Sequence, residues 1–237
     1  MEKYIIRNIE RPAEELVESF VNFDVTTVYE AQGKIGLLSN ELRPVLTGTS
    51  ICGPAVTVRC HAGDNLMIHA AIEVCKPGDV LVVTTIGDSF DGMVGELIVR
   101  ALQKRGVKGL IIDAGIRDVD QIRQLGFPVW SKSISSKGTT KNRGGWVNSD
   151  VISGDTVINP GDIILADDDG VVSVKRQYIE KVLQLTKQRI ENEKVTKERI
   201  ENGELSLDFY NLREVLKREN VKYYDSVEEL LGNKKGG

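Results

Sequence analysis

The sequence contains no long hydrophobic run. Its longest apolar stretches, such as Val80–Val83 and Leu110–Ile112, are far shorter than the ~20 residues that a membrane-spanning helix requires. The opening residues, Met1-Glu2-Lys3-Tyr4, also lack the basic and then apolar layout of a secretory signal peptide. These two absences predict a cytoplasmic protein that has no membrane partner.

Cysteine and histidine are scarce as well. The three cysteines, Cys52, Cys60 and Cys75, form no CxxC pair, and an odd number fits poorly with a disulfide framework. We therefore interpret them as the reduced thiols of a cytosolic protein. The two histidines, His61 and His69, are too few and too far apart to build a zinc site with cysteine, so we expect structural or surface roles for them.

The sequence also lacks an excess of positive charge. Its 31 Lys and Arg residues face 35 Asp and Glu residues, which gives a net charge of −4 and no global basic field for nucleic acid. With 237 residues, 41% hydrophobic and 28% charged, the chain is typical of globular proteins and can bury a full core. This length allows one large domain or two small ones.

What the sequence does contain divides it into three zones. Residues 1–46 carry helical spacing of apolar side chains, with a helix that begins near Arg11 and includes Val21. Residues 47–175 alternate strand-like and helical segments, which implies a parallel or mixed sheet with helices packed on it. Residues 176–237 form a long charged helical extension with a narrow apolar stripe. The predicted fold class is therefore α/β.

Three local patterns make narrower predictions. Asp64 is placed to cap a helix that follows it, and Leu205–Leu216 reads as one amphipathic segment. The run Ile163–Val174, with its turn at Asp167–Gly170, predicts a hairpin. The three successive aspartates of that turn lack the alternating oxygen ligands of a calcium loop, so we interpret them as a solvated turn.

Two strand-to-helix turns are candidates for a functional site. The first, Val82–Leu97, carries glycines, and the backbone N–H groups at its helix start can hold a carboxylate or a phosphate. Its spacing matches neither a P-loop nor GxGxxG, and an ordinary loop is the alternative. The second, Asp113–Asp118, follows a strand at the edge where α/β sheets bind ligands.

In the second turn, Arg117 and Asp118 are able to divide two tasks. An arginine binds anionic oxygen with its planar fork, and an aspartate holds a divalent cation. The alternative is that Asp118 only caps the helix that follows and that Arg117 is a surface charge.

Lysines offer a further chemistry. Lys132, Lys137 and Lys141 follow a strand that looks buried, and a Schiff-base lysine needs a desolvated amine of low pKa. Their segment is rich in Ser, Thr and Gly, which favours a wet loop instead. The sequence contains no GxSxG motif and no Cys–His arrangement for nucleophilic catalysis.

Several short motifs spread over nearly the whole chain are specific when taken together. They are Thr27–Gly33, Gly63–Asn65, Asp91–Leu97, Ile111–Asp118, Phe127–Lys132, Ser135–Thr139 and Pro160–Val172. With them, the sequence resembles the class II pyruvate aldolases that cleave 4-hydroxy-4-methyl-2-oxoglutarate and 4-carboxy-4-hydroxy-2-oxoadipate. It is more distantly similar to the related ribonuclease E regulator (RraA) proteins. The segments Leu207–Tyr210 and Leu212–Glu214 resemble the tail of the carboxy-hydroxy-oxoadipate branch.

The resemblance implies an architecture. It implies one aldolase-like domain over residues 1–237 with a swivelling-domain-like β/β/α core at 47–175, N-terminal helices at 1–46 and a C-terminal helical extension at 176–237. It also implies a homotrimer or a dimer of trimers, and the charge and hydropathy described above predict neither nucleic acid nor membrane as a partner. Its substrate would be a small 2-oxo acid, and its setting the degradation of aromatic compounds.

The resemblance also implies site residues. Asp118 would bind Mg²⁺ or Mn²⁺, largely with water completing the shell, and Arg117 would contact the substrate's oxygens. The backbone of Gly95, Glu96, Leu97 and Ile98 would receive the pyruvyl carboxylate. Glu96 would hold a metal-bound water, and Glu193 would reach the metal waters from a neighbouring subunit. Many aldolases of the family have Asp at the position of Glu96, and the extra methylene moves the carboxylate by about one C–C bond.

The implied reaction is a metal-dependent retro-aldol cleavage that yields pyruvate and a 2-oxo acid, with oxaloacetate decarboxylation as a side activity. A divalent cation and an arginine would stabilise the enolate that forms. Two other functions stay open. One is a non-catalytic protein that binds a ribonuclease or a helicase, and the other is a lyase on the same scaffold that acts on another 2-oxo acid.

Overall fold

A computed structural model describes residues 2–233, the last of them by its backbone alone. The chain falls into two compact units, Met1–Arg189 and Ile190–Gly237. The strands are β1 (Tyr4–Ile5), β2 (Arg43–Pro44), β3 (Ile51–His61), β4 (Val80–Ile86), β5 (Gly92–Val94), β6 (Gly109–Ile116), β7 (Val129–Ile134), β8 (Trp146–Val147), β9 (Val151–Ser153), β10 (Thr156–Ile158), β11 (Ile163–Asp167) and β12 (Gly170–Val174).

The helices alternate with the strands in the first unit and make up the second. They are α1 (Glu14–Glu18), α2 (Val25–Ala31), α3 (Leu66–Val74), α4 (Glu96–Lys104), α5 (Val119–Gln124), α6 (Ile179–Glu201), α7 (Ser206–Phe209), α8 (Leu212–Arg218) and α9 (Val227–Asn233), with a 3-10 turn at Arg176–Tyr178. Over the described part of the chain, no helix combines the length and the apolar character needed to cross a membrane.

The first unit is built on one mixed sheet. Its order is β1-β8-β3-β4-β6-β7-β2, and the central strands β3, β4, β6 and β7 are parallel. The hairpin β11–β12 adds to β3 antiparallel, and β5 pairs with the end of β6. This arrangement confirms the predicted mixed α/β class, because alternating strands and helices leave parallel strands side by side with helices over them.

The core lies on both faces of this sheet. Alternate residues of the central strands point to opposite faces, so Leu81 and Val83 pack with α3, α4 and α5, whereas Val80 and Val82 pack with the hairpin β11–β12. All four side chains are fully buried. Strands that are covered on both faces have continuous apolar runs in their sequence, and this is why β4 was predictable.

Two predicted helices differ in the structure. α1 ends at Glu18, because the backbone of Phe20 and Val21 bonds to the carbonyls of Val17 and Glu18 in tight turns instead of continuing the helix. The segment predicted as one amphipathic run from Leu205 to Leu216 is split into α7 and α8. The break falls at Asn211, whose φ of 55° lies in the left-handed region.

Two other local predictions concern caps and turns. Asn65, not Asp64, occupies the N-cap position of α3, although an Asp64 oxygen accepts a hydrogen bond from the Leu66 N–H at 3.1 Å. The hairpin β11–β12 is confirmed, and its turn is held by carboxylates. Asp167 accepts hydrogen bonds from the N–H groups of Val25 and Asp169 at 2.8 and 2.9 Å.

Candidate functional site

Arg117 and Asp118 lie where β6 ends and the chain turns into α5. Because β6 runs between parallel neighbours, this end opens at the carboxyl edge of the sheet, where α/β proteins bind ligands. The two side chains are 47% and 44% exposed. They border an open cleft of about 450 Å³ that also contacts Ser135 and Ser136.

Asp118 has an unusual backbone. Its φ and ψ are 58° and 40°, in the left-handed region that costs a residue other than glycine roughly 1 kcal/mol. Its side chain makes no capping hydrogen bond to α5; Oδ2 instead accepts one from the Glu96 N–H at 3.2 Å. Asp118 thus occupies the N-cap position of α5 without capping it through its side chain, because the carboxylate turns toward the start of α4.

Arg117 is fixed beside that carboxylate. Its backbone N–H donates to the Val94 carbonyl at 2.8 Å, which ties the end of β6 to the end of β5. Its Nε atom lies 3.8 Å from Asp118 Oδ2. The Arg117 guanidinium, which can bind an anionic group, and the Asp118 carboxylate, which can bind a cation, therefore lie side by side at the cleft.

Glycines make this close approach possible. A Cβ atom at Gly95 would collide with Asp118 Oδ2 and lie 3.1 Å from the Arg117 Cγ and Nε atoms. A Cβ atom at Gly92 would collide with the Ser135 carbonyl and lie 3.1 Å from the Arg117 Cβ. Gly95 has an extended backbone, with φ of −131°, so its requirement for glycine is steric and not conformational.

The start of α4 supplies both amides and an acid. The first turn of a helix leaves its N–H groups without intrahelical acceptors, and the helix dipole favours an anion there. Glu96 donates its N–H to Asp118, while its carboxylate accepts from Arg100 Nε at 2.7 Å. Arg100 was missed by the sequence reasoning, although the i,i+4 spacing of an acid and a base on one helix is a known signal.

A buried turn lies behind the site. Asp64 is 1% exposed, and its Oδ2 accepts hydrogen bonds from Thr140 Oγ1, the Asn142 N–H and the Arg143 N–H at 2.7, 2.7 and 3.1 Å. Burial opposes ionisation, but these bonds outweigh it and lower the pKa of Asp64 below its ordinary value. The sequence reasoning did not find this role, because no local spacing links Asp64 to residues that far along the chain.

Lys132 is not in a wet loop. It lies in β7 with only 9% of its side chain exposed, and its Nζ atom contacts Glu41 and Asp88 at 3.0 and 3.1 Å. Burial opposes its charge, but the bonds to the two carboxylates prevail and raise the pKa of Lys132. An amine held in its charged form is the opposite of a Schiff-base nucleophile. Lys137 is exposed and pairs with Asp91 at 2.9 Å.

The cysteines and histidines have no place in the site. Cys52, Cys60 and Cys75 are buried free thiols, and burial raises the pKa of each to about 12. His61 ends β3 with its ring 6.3 Å from that of Trp146, and His69 is exposed on α3. Within residues 2–233, no three side chains of His, Cys, Asp or Glu are grouped so as to hold a metal ion.

A divalent cation of the hard type fits Asp118 nonetheless. Mg²⁺ prefers oxygen ligands, keeps several waters and is bound through one or two carboxylates together with substrate oxygens, so Asp118 is the residue here that could hold it. The Asp118 carboxylate is held toward the cleft by its backbone conformation and by the Glu96 N–H. Glu193, the other acid of the predicted set, lies on α6 within the second unit, and its role stays a prediction.

This fold and this arrangement define a class of protein, an α/β scaffold with an arginine–aspartate pair at the carboxyl edge of its sheet. Residues 24–173 match the family model RraA-like, described as Aldolase/RraA. The chain belongs to this RraA-like family. The matched range includes Arg117 and Asp118, Gly95 just before α4, and the turn that contains Asp64.

Similar proteins carry two kinds of name. A protein of Halalkalibacterium halodurans named "Putative 4-hydroxy-4-methyl-2-oxoglutarate aldolase" is 29% identical over 175 residues, covering 74% of this chain and 83% of that protein. Streptomyces coelicolor RraAS2, described as an unusual member of the RNase ES inhibitor RraA protein family, is 27% identical with a TM-score of 0.72, covering 80% of this chain and 99% of that one. An uncharacterized protein of Pseudomonas syringae pv. tomato, 21% identical, matches the fold with a TM-score of 0.75 over 83% of this chain and 92% of its own.

Proposed function

We propose that this protein is a divalent-metal-dependent lyase that releases pyruvate from a 4-hydroxy-2-oxo acid, such as 4-hydroxy-4-methyl-2-oxoglutarate or 4-carboxy-4-hydroxy-2-oxoadipate. The observation that carries the proposal is the left-handed Asp118, whose carboxylate faces the cleft beside Arg117 and the start of α4. Residues held in this conformation cluster at functional sites, and this motivates the proposal. The relative from H. halodurans, with its aldolase name, supports the same reaction class.

In the proposed reaction, the bond between C3 and C4 of the substrate breaks as the 4-hydroxyl loses its proton and becomes a carbonyl. The electron pair passes to the 2-oxo group as the enolate of pyruvate, and C3 then takes up a proton. A divalent cation on Asp118 would supply Lewis acidity to the 2-oxo group. Oxaloacetate decarboxylation passes through the same enolate and is expected as a side activity.

The chain's own residues have distinct parts in this scheme. Arg117 presents its planar fork to the substrate oxygen on which negative charge develops. The N–H groups at the start of α4, at Leu97 and Ile98, receive the pyruvyl carboxylate, favoured by the helix dipole. Glu96 is the acid closest in sequence to these amides, and its carboxylate, which accepts a hydrogen bond from Arg100 Nε, is the group proposed to hold the water that takes the hydroxyl proton.

The decisive experiment measures pyruvate release from synthetic 4-hydroxy-4-methyl-2-oxoglutarate with and without EDTA. We expect turnover that EDTA abolishes and that added Mg²⁺ or Mn²⁺ restores, and we expect Asp118→Ala to abolish it permanently. Full turnover in the chelated protein would replace this mechanism with a Schiff base, which borohydride and pyruvate would trap on a lysine. A panel of other 4-hydroxy-2-oxo acids identifies the preferred substrate.

A non-catalytic role is the second candidate, and the likeness to RraAS2 favours it. In that case the protein would bind a ribonuclease or a helicase, and the Arg117–Asp118 pair would be dispensable. The same assay separates the two candidates. If the wild-type protein releases no pyruvate from any substrate of the panel, and if it and the Asp118→Ala variant inhibit a ribonuclease E-type enzyme equally well, the protein would be such a regulator.

A further inference from the structure

We propose that Asp64 is a positioning residue that holds the segment Lys137–Arg143 against the site, so that its positive charges increase the affinity for anionic substrates. The inference rests on the proposed function for its kinetic consequence only. The structural part, the order of the segment, stands on the contacts of Asp64 alone.

The contacts make Asp64 the anchor of this segment. Within the described residues, its carboxylate accepts hydrogen bonds from Thr140 Oγ1 and from the N–H groups of Asn142, Arg143 and Leu66. Two backbone bonds flank them: the Thr140 N–H donates to the Gly63 carbonyl at 2.9 Å, and the Asn65 N–H donates to the Thr140 carbonyl at 3.0 Å. Because only 1% of Asp64 is exposed, solvent has little access to replace a lost donor.

The other end of the segment lies at the site. The Lys137 carbonyl accepts from the Gly92 N–H at 2.8 Å, and Lys137 Nζ pairs with Asp91 at 2.9 Å. A Cβ atom at Gly138 would lie 3.6 Å from Arg117 Nη1. The segment therefore runs from the guanidinium of Arg117 to the carboxylate of Asp64, and releasing the Asp64 end would loosen the backbone beside Arg117.

Charge gives this segment a chemical consequence. Residues 137–143 contain three cations and no acid; Lys137 pairs with Asp91, so the positive charge beyond that pair comes from Lys141 and Arg143. These charges act on neighbouring groups. Burial is the largest cause that lowers the pKa of His61, and the charge of Arg143 is the next; for His69, burial is again the largest cause and the charge of Lys141 the next. A substrate with two or three carboxylates is attracted by such a field. A segment that is free to move would dilute it.

The test compares Asp64→Asn with a matched control, Asp162→Asn. Asp162 is likewise buried, at 3% exposure, and accepts from the Asn159 N–H, Lys175 Nζ and the Arg176 N–H at 2.8, 2.8 and 3.0 Å, but it lies in another turn. Asparagine keeps the shape of aspartate but has one acceptor oxygen in place of two, so its NH2 group faces a donor and the charge that strengthens the remaining bonds is lost. We expect Asp64→Asn to speed tryptic cleavage within residues 137–143 and to raise KM for the dicarboxylate substrate by about tenfold or more, with kcat within about threefold. The control is expected to change neither quantity.

Each outcome decides a separate point. Unchanged tryptic cleavage in Asp64→Asn would overturn the anchoring role, and faster cleavage with an unchanged KM would overturn its link to substrate affinity. A wild-type protein without lyase activity would defeat the proposed function, while the cleavage pattern would still decide the anchoring role. If Asp64→Asn does not fold, Thr140→Val removes the hydroxyl that donates to Asp64 Oδ2 at 2.7 Å and to the Gly63 carbonyl at 3.4 Å, and it is expected to show the same two effects at a smaller size.

Discussion

Replacing Gly95 by alanine tests the proposed site with one added carbon. The backbone of Gly95 is extended, so alanine adopts it without strain, and the loss of chain freedom in the unfolded state favours folding by about 0.4–1 kcal/mol. The new Cβ, however, collides with Asp118 Oδ2 and crowds the Arg117 side chain. The Asp118 carboxylate has to move by about 1 Å to regain an ordinary contact distance.

The magnitudes for stability and activity differ. Moving Asp118 weakens its bond from the Glu96 N–H, and because the carboxylate is 44% exposed, we expect a loss of about 1 kcal/mol that the backbone gain largely offsets. The melting temperature should therefore change by no more than about 2–4 °C. Activity should fall by about 100-fold, since a misplacement of about 1 Å at a reacting centre has an effect of that order.

The matched control is Gly138→Ala, whose Cβ would lie 3.6 Å from Arg117 Nη1 and make only an ordinary contact. Both variants would be assayed by pyruvate release coupled to NADH oxidation and by thermal unfolding followed by circular dichroism. A Gly95→Ala protein with full activity and an unchanged melting temperature would refute the inference that Gly95 exists to admit Asp118. Equal losses in both variants would show general sensitivity of the region instead.

Three further predictions follow from charge and burial. Arg117→Lys keeps a positive charge but loses the planar fork, so kcat should fall by about 10²-fold or more; a normal kcat with a raised KM would assign Arg117 to uniform binding. The three buried thiols, each with a pKa of about 12, should react with a disulfide reagent at pH 8 only after guanidinium unfolds the chain; rapid reaction in the native protein would contradict their burial. The stability that Asp64 contributes is present above its unfolded pKa of about 4 and is lost as pH falls through its lowered folded pKa. The free energy of unfolding should therefore fall less steeply with decreasing pH in Asp64→Asn than in the wild-type protein. Parallel pH dependences of the two proteins would contradict this.

The strands and the sheet class were predictable because the signal is local. The run Val80–Val83 is buried on both faces, and such strands carry apolar residues at every position. Helix ends were less predictable, because tertiary contacts decide them. Phe20 is fully buried although it lies outside α1, since a turn carries it into the core beside α2. Asn211 is a residue type that tolerates the left-handed region, and it marks the break between α7 and α8.

The site was predictable where its reactive side chains lie together on one short segment. Arg117 and Asp118 follow a buried strand, and strand ends at the carboxyl edge of a sheet bind ligands. The contacts that complete the site join distant segments: Asp118 meets Glu96 across 22 positions, and Asp64 meets Thr140 across 76. Only the register of the sheet brings such pairs together, and one sequence without an alignment carries no signal for them. The raised pKa of Lys132 likewise depends on Glu41 and Asp88, which come from two other segments.

The C-terminal extension carries exposed apolar residues and Glu193, and both bear on the expected oligomer. From residue 187 to residue 232 no side chain is buried, and apolar residues such as Val195 and Leu205 are 57% exposed. Apolar surface of this kind is stabilised by packing on another surface. If that surface is a second copy, as we expect, Glu193 would supply an acid near Asp118 of the neighbour. Mixing Asp118→Ala with Glu193→Gln, each nearly inactive alone, should then restore part of the activity once subunits exchange. Verified mixed oligomers that stay inactive, or an active monomer in sedimentation, would leave Glu193 as an ordinary helix charge.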